Sequence, residues 1–177
     1  MAHRLIALTL LLAFPLAAQT IPDGYRQVAA QWQVPAELLY ALALTESGLR
    51  LSHGLRPWPW TLNVAGKSYR YPTQARACQA LHRFIHTTPA KRIDVGPGQI
   101  NLGWHRHRIA SPCELLLPYR NLHLVARILR ERYEERPGSW LDAAARYHRP
   151  AGGTPAQRYR NKVQHYMSTL TTAERTP

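Results

Sequence analysis

The apolar positions Leu38, Leu39 and Leu42 form one stripe of a segment that has the spacing and the end residues of a helix. This segment, "PAELLYALALTESG", begins with Pro35 at a first-turn position. It ends at Gly48, a residue that favours a left-handed C-terminal cap. The pattern predicts one strongly apolar helix early in the chain.

Capping signals predict where further helices begin. "SPCE" (111–114) and "TPAQ" (154–157) fit a capping box, and "SWLD" (139–142) is a weaker version with aspartate in place of glutamate or glutamine. Together with the apolar spacing, these signals predict helices near 73–87, 112–117, 119–135, 140–147 and 155–170.

One region has a different pattern. Residues 58–71, "WPWTLNVAGKSYRY", place β-branched and aromatic residues on both sides of "AGK", which predicts a short β-hairpin. Residues 92–101, "RIDVGPGQIN", predict an extended piece that turns at Gly96, Pro97 and Gly98. The chain has 177 residues, no repeat and no low-complexity linker, so we expect one mainly α domain with a small β insert.

The first residues have the layout of a secretory signal peptide. A short basic start at Arg4 precedes an apolar run from Leu5 to Leu16 and the small residues Ala17 and Ala18. The run is too short to span a bilayer. We therefore predict a leader at 1–18 and an exported, soluble domain at 19–177; an uncleaved N-terminal anchor is the alternative.

The chain is strongly basic, with 23 Lys and Arg residues against 10 Asp and Glu residues. In an exported protein, such a charge favours contact with the cell wall, lipid head groups or acidic polysaccharide. Nucleic acid would be the first expectation in the cytosol, but no recognised nucleic-acid-binding motif supports it. We predict peripheral contact with anionic envelope surfaces and no nucleic-acid partner.

Two cysteines, Cys78 and Cys113, are the only ones in the chain. In an oxidising compartment they would form a disulfide that closes a loop of about 35 residues, and two buried free thiols are the alternative. Their separation rules out a CxxC redox site.

The nine histidines raise the question of a metal site. His82 and His86 are spaced by one helical turn, and "HRH" supplies His105 and His107. There is no HExxH motif, and no cysteine cluster completes a tetrahedral site. We predict neither a metal nor another cofactor.

Glu46 is the candidate for acid–base chemistry. It follows Leu39 and Leu42 at helical spacing, so its carboxyl group points toward the core or into a cleft. Burial and the negative end of the helix dipole both raise the pKa of a carboxyl group in the last turn. Glu46 would then stay protonated near neutral pH, as a general acid must; the alternative is a solvated residue at a frayed helix end.

Three short motifs resemble a known signature. "TESGL" (45–49), "DVGPGQIN" (94–101) and "AARYH" (144–148) are similar, in this order, to the motifs of lytic transglycosylases with a soluble-lytic-transglycosylase domain. That family is related in fold to goose-type lysozyme. The likeness covers about residues 25–170. It departs from the family pattern where Pro97-Gly98 replaces Leu-Met and where His148 replaces Asn.

The resemblance implies a lysozyme-like fold and cleavage of the β-1,4 bond between N-acetylmuramic acid and N-acetylglucosamine in peptidoglycan. Glu46 would act first as acid and then as base on the C6 hydroxyl, leaving a 1,6-anhydromuramoyl end. One carboxylate suffices for this chemistry, whereas ordinary glycosidases need two, and only Asp94 is a candidate for the second. The alternatives are a hydrolytic muramidase and a non-catalytic wall-binding subunit.

The resemblance also implies supporting residues. Gln99 and Asn101 would hydrogen-bond the sugar, Tyr147 would place its hydroxyl near Glu46, and Ser47 would bind backbone or sugar; helix packing is the alternative for Tyr147. Aromatic side chains can stack on sugar faces or form the core of the hairpin. The aromatic candidates for such stacking are Trp58, Trp60 and Tyr71.

The insert at 56–73 resembles a subgroup found with conjugative elements and type IV pili. We therefore expect a monomeric periplasmic protein that binds peptidoglycan glycan strands. It would serve a secretion, conjugation or pilus apparatus.

Overall fold

The computed structural model describes residues 20–52 and 54–174, with side chains as far as Leu170. The predicted leader at 1–18 lies outside these residues. Within the described part of the chain, no helix has both the length and the apolar character needed to cross a membrane.

The fold is mainly helical with a small antiparallel β part, as predicted. The helices are α1 (Asp23–Trp32), α2 (Ala36–Ser47), α3 (Gln74–Thr87), α4 (Leu102–His105), α5 (Pro118–Glu135), α6 (Trp140–His148) and α7 (Thr154–Glu174). The strands are β1 (Gly48–Leu51), β2 (Gly54–Pro57), β3 (Thr61–Val64), β4 (Lys67–Arg70), β5 (Ile93–Val95) and β6 (Ile100–Asn101). Short 3-10 turns occupy Ala90–Arg92, Arg106–Arg108 and Pro112–Leu116.

Helix α2 lies at the centre of the core. Every residue from Leu38 to Leu44 is buried, so the helix is covered on all sides. It packs against α1, α6, α7 and β2. A helix that is apolar on every side keeps its apolar surface away from water only when other elements surround it. Its last turn, which carries Glu46, is therefore held firmly relative to the rest of the domain.

The predicted hairpin and the predicted extended turn belong to one sheet. The sheet has the strand order β4-β3-β5-β6. Its tight turn at Ala65 and Gly66 has positive φ at both residues, 54° and 89°, as a two-residue hairpin of right-handed twist requires. A second, two-stranded hairpin, β1–β2, follows α2 directly and was not predicted, nor was α1.

The predicted helix ends are confirmed in part. Ser111 and Glu114 form the predicted capping box, although it opens a 3-10 turn, and Ser139 caps α6. Two predictions are wrong. Gly48 has φ −50°, and it is glycine because a Cβ atom there would overlap the carbonyl oxygen of Leu44. Helix α7 begins at Thr154 itself, so Gly153 takes the cap position.

Cys78 and Cys113 form a disulfide, with Cα atoms 5.4 Å apart. The bond joins α3 to the 3-10 turn Pro112–Leu116 and so links the segment after the hairpin to the segment before α5. The disulfide is therefore a long-range link between two parts of the fold.

We expect reduction of this disulfide to lower the melting temperature. A loop of about 35 residues corresponds to about 3–4 kcal/mol of stability, or roughly 10 °C in a domain of this size. Calorimetry with and without a reducing agent measures the shift. A Cys78→Ala/Cys113→Ala variant that melts at the parental temperature would contradict the expectation.

Candidate active site

A cleft of about 780 Å³ runs between the four-stranded sheet and the helices. Its walls come from α2, β3, the segment 94–108, α5 and the end of α6. The residues that line it are Glu46, Asn63, Asp94, Gln99, Ile100, Asn101, Trp104, His105, His107, Arg108, Ile128, Arg132, Tyr147, His148, Pro150 and Ala151.

Glu46 is half-buried in the wall of this cleft, at the end of α2. Burial raises the pKa of its carboxyl group from the ordinary value of 4.5 to about 7, and the charge of Asp94 acts in the same direction. A hydrogen bond from Tyr159 and the charge of Lys162 act in the opposite direction. The carboxyl group is thus poised to give up or take a proton near neutral pH.

Tyr159 of α7 is the direct partner of this carboxyl group. Its hydroxyl donates to Oε1 of Glu46 at 2.7 Å, and its ring stacks on His148 with centroids 4.3 Å apart. Tyr159 was not among the predicted site residues, because the surrounding basic run at 158–162, "RYRNK", is typical of a solvated helix face. The spacing of Tyr159 and the buried Val163, one helical turn apart, was the available signal.

The turn between β5 and β6 is tied to two helices by side-chain hydroxyl groups. Ser47 is fully buried, and its hydroxyl donates to the carbonyl oxygen of Pro97 at 2.8 Å. Ser47 therefore binds backbone, which is one of its two predicted roles, and its burial leaves no surface for a sugar. Tyr147 lines the cleft, but its hydroxyl donates to the carbonyl oxygen of Gly98 at 2.7 Å. Burial and the charges of Glu46 and Asp94 raise the pKa of Tyr147.

The same turn explains why Gly98 stands where the resembling family has a larger residue. A Cβ atom at Gly98 would overlap the side chain of Val125 on α5. The backbone N–H of Gly98 donates to Oδ1 of the buried Asn121 at 3.0 Å. In this chain, helix α5 fills the space that a methionine side chain would need.

Gln99 and Asn101 both line the cleft, but their amide groups are engaged with the protein. Nε2 of Gln99, a residue with φ 50°, donates to the carbonyl oxygens of Gly96 and Thr61. Nδ2 of Asn101 donates to Asp94 and to the Lys91 carbonyl oxygen. Its Oδ1 accepts the N–H groups of Gly103 and Trp104 in the first turn of α4. Asn101 uses all four of its hydrogen-bonding positions in this way, so a sugar would have to replace one of these partners to bind its amide.

Asp94 is the second carboxyl group of the cleft. It is half-buried, and burial raises the pKa of its carboxyl group while the hydrogen bond from Asn101, 2.8 Å long, acts against the rise. It is also close enough to Glu46 for its charge to raise the pKa of that residue.

The predicted aromatic platforms do not lie in the cleft. Trp58 donates from Nε1 to the carbonyl oxygen of Tyr71 at 2.8 Å and packs edge-to-face on Trp60, so these residues form the base of the hairpin. These contacts agree with the packing alternative, and stacking on a sugar would need a second surface away from the cleft. Trp104 takes their place in the cleft, with 61% of its surface exposed, and Nζ of Lys91 lies 4.3 Å from its ring centroid.

The histidines singled out in the sequence lie in two places. His105 and His107 line the cleft, and burial, followed by the charge of Arg108, lowers the pKa of His105 to about 4. His82 is next to the disulfide, with Nε2 3.4 Å from Sγ of Cys113. Together with Cys78, these two residues could hold a metal ion by position, but the two sulfur atoms are bonded to each other.

A comparison of the chain with protein-family models, curated proteins and solved structures finds no match. The function of this protein is therefore inferred from the geometry of the cleft and from the sequence motifs.

We expect Glu46→Gln to be more stable than the parent at pH 8, by about 1–3 kcal/mol, with the difference falling to about 0.4 kcal/mol near pH 4.5. The folded parent keeps its proton up to about pH 7, whereas the unfolded chain releases it near 4.5. Raising the pH through this window therefore destabilises the parent but not the variant. Urea unfolding from pH 4.5 to 8.5 measures the free energy of unfolding of the parent and of the variant. Identical pH profiles for the two proteins would contradict the burial of Glu46.

Proposed function

We propose that this protein is a peptidoglycan lytic transglycosylase with Glu46 as its single acid–base residue. The observation that carries the proposal is the carboxyl group of Glu46, half-buried in a long cleft, with a pKa of about 7 and a tyrosine hydroxyl on Oε1. The three sequence motifs that resemble that family converge on this cleft, since Glu46, Gln99 and Tyr147 all line it.

The chemistry needs only groups that the cleft contains. Protonated Glu46 donates its proton to the oxygen between N-acetylmuramic acid and N-acetylglucosamine, and the bond from that oxygen to C1 breaks. The carboxylate then removes the proton of the C6 hydroxyl on the same muramoyl unit, and the C6 oxygen bonds to C1. Glu46 regains its proton, no water is consumed, and a 1,6-anhydromuramoyl end is left.

The surroundings of Glu46 suit both halves of this cycle. Burial favours the protonated form that begins the reaction. The hydrogen bond from Tyr159 and the charge of Lys162 favour the carboxylate that exists between the two proton transfers. A group that must be acid and then base works best when its two forms are close in free energy at the working pH.

Trp104 is the aromatic surface best placed to contact a sugar in this cleft. An exposed indole ring is an apolar platform that fits the C–H face of a pyranose. Its position in the cleft wall puts it on the path of a bound glycan strand.

A hydrolytic muramidase is the second candidate, because Asp94 places a second carboxyl group in the same cleft. In that reaction Asp94 would act as nucleophile or would activate a water molecule. A transglycosylase has no such requirement. The two functions therefore differ in their products and in their need for Asp94.

Under this proposal the protein acts as a periplasmic monomer on glycan strands. It opens the wall locally for an envelope-spanning secretion, conjugation or pilus apparatus. The basis for this placement is the predicted leader and the resemblance of the insert at 56–73.

The decisive experiment is mass spectrometry of fragments released from purified peptidoglycan by the parent, Glu46→Gln and Asp94→Asn. We expect anhydromuramoyl products from the parent and from Asp94→Asn, and none from Glu46→Gln, because only Glu46 transfers protons. Products with reducing ends, lost in both variants, would establish the muramidase instead. Release of products by Glu46→Gln, or by none of the three proteins, would refute the proposed enzyme.

We expect Tyr159→Phe to move the pH dependence of cleavage. Loss of the hydrogen bond to the carboxylate raises the pKa of Glu46, so the alkaline limb of kcat/KM shifts to higher pH. At pH 7, kcat falls about tenfold, the size expected for a hydrogen bond to a charged group. Tyr166→Phe, on the same helix, is the control. An unmoved alkaline limb in Tyr159→Phe would assign Tyr159 a packing role only.

A further inference from the structure

The charges of the chain are divided unevenly along its length. Between Ser47 and Ile93 there is no aspartate or glutamate at all, so all 10 acidic residues lie elsewhere. The same stretch contains eight lysine and arginine residues: Arg50, Arg56, Lys67, Arg70, Arg76, Arg83, Lys91 and Arg92.

In the fold, this stretch forms β1 to β4, α3 and the 3-10 turn that follows; we call Gly48–Arg92 the basic lobe. All of its lysine and arginine residues except Arg56 are exposed. Among the described residues, none of them is in an ion pair with a carboxylate. The ion pairs that do form, such as Arg108 with Glu131 and Arg160 with Asp142, lie in the helical part of the domain.

The basic lobe adjoins the cleft. Strand β3 places Asn63 in the cleft wall and pairs on its other side with β4, which carries Lys67 and Arg70. At the other end of the lobe, Lys91 lies over the ring of Trp104 in the cleft. A strand held in the cleft would therefore run past the side of the lobe that Asn63 and Lys91 form.

The surface of the basic lobe fits a hydrated polymer better than a lipid bilayer. Binding to a bilayer surface combines positive charge with exposed apolar side chains that enter the membrane. Within residues 20–52 and 54–170, the large apolar residues that are exposed are Trp104, Leu117 and Tyr119, and all three lie outside the lobe. The charges are also spread over two hairpins and a helix, an arrangement that suits many separate anionic groups.

We propose that the basic lobe binds the carboxylate groups of the peptide stems on the strand that occupies the cleft. The preferred substrate is then peptide-bearing glycan, and strands stripped of their stems are held more weakly. This inference rests on the proposed function, because the cleft must hold a peptidoglycan strand for the stems to reach the lobe.

Binding is measured in a Glu46→Gln background, which separates binding from cleavage, by cosedimentation with purified sacculi in about 0.15 M salt. We expect Lys67→Gln/Arg76→Gln/Arg83→Gln to weaken binding roughly tenfold, because three exposed charge contacts are lost. The affinity of this triple variant for sacculi should also fall less steeply with added salt than the affinity of the Glu46→Gln parent does. The matched control, Arg120→Gln/Arg136→Gln/Arg158→Gln, removes the same charge from exposed positions outside the lobe and the cleft and should bind as the parent does. Melting temperatures establish that each variant is folded.

The second arm uses soluble glycan strands whose stems have been removed by an amidase, added as competitors for binding to intact sacculi. Stem-bearing soluble strands are the matched competitor. We expect the parent to bind the stem-free strands more weakly and the lobe variant to bind them as the parent does. Equal affinity of the parent for both kinds of strand, or equal loss in the lobe and control variants, would overturn the proposal. So would tighter binding to phosphatidylglycerol vesicles or to duplex DNA. If binding follows the expectation while fragment analysis finds no cleavage, the stem-binding lobe stands and the enzymatic proposal fails.

Discussion

The buried amide of Asn121 is the contact on which the rest of the site depends. From α5 it donates to the carbonyl oxygens of Val95 and Leu115, both at 2.9 Å, and accepts the N–H of Gly98. Three backbone groups that would otherwise be buried without partners are satisfied by one side chain. The turn between β5 and β6 is thereby fixed on α5, and the hydroxyl groups of Ser47 and Tyr147 then attach α2 and α6 to the same turn.

The last turn of α2, next to this fixed turn, is less stable than an apolar helix end would be. A carboxyl group in the last turn of a buried apolar helix is poorly solvated and lies near the negative end of the helix dipole. The phenol of Tyr159 compensates in part, and so does the proton that Glu46 retains near neutral pH. Sites that perform chemistry are commonly less stable than the same scaffold optimised for folding alone.

The sequence was most informative where the deciding contacts are local, although it did not reveal the local hairpin β1–β2. The apolar run before Glu46, the hairpin at 58–71 and the cap at Ser139 each depend on neighbours a few residues away, and each was predicted. The partner of Glu46 was not, because Tyr159 is 113 residues distant. The role of Trp58 was equally undetermined, since an aromatic residue in a hairpin has the same local pattern whether it faces a cleft or a core.

The distance in sequence between Glu46 and Tyr159 has a consequence for the order of folding. Helix α2 emerges early in synthesis, but α7, which packs along it and supplies Tyr159, is the last described helix to emerge. Until α7 docks, the end of α2 faces water and Glu46 is an ordinary, ionised glutamate. The raised pKa of Glu46 therefore arises only once α7 has docked, so a partly folded molecule lacks this protonated carboxyl group at neutral pH.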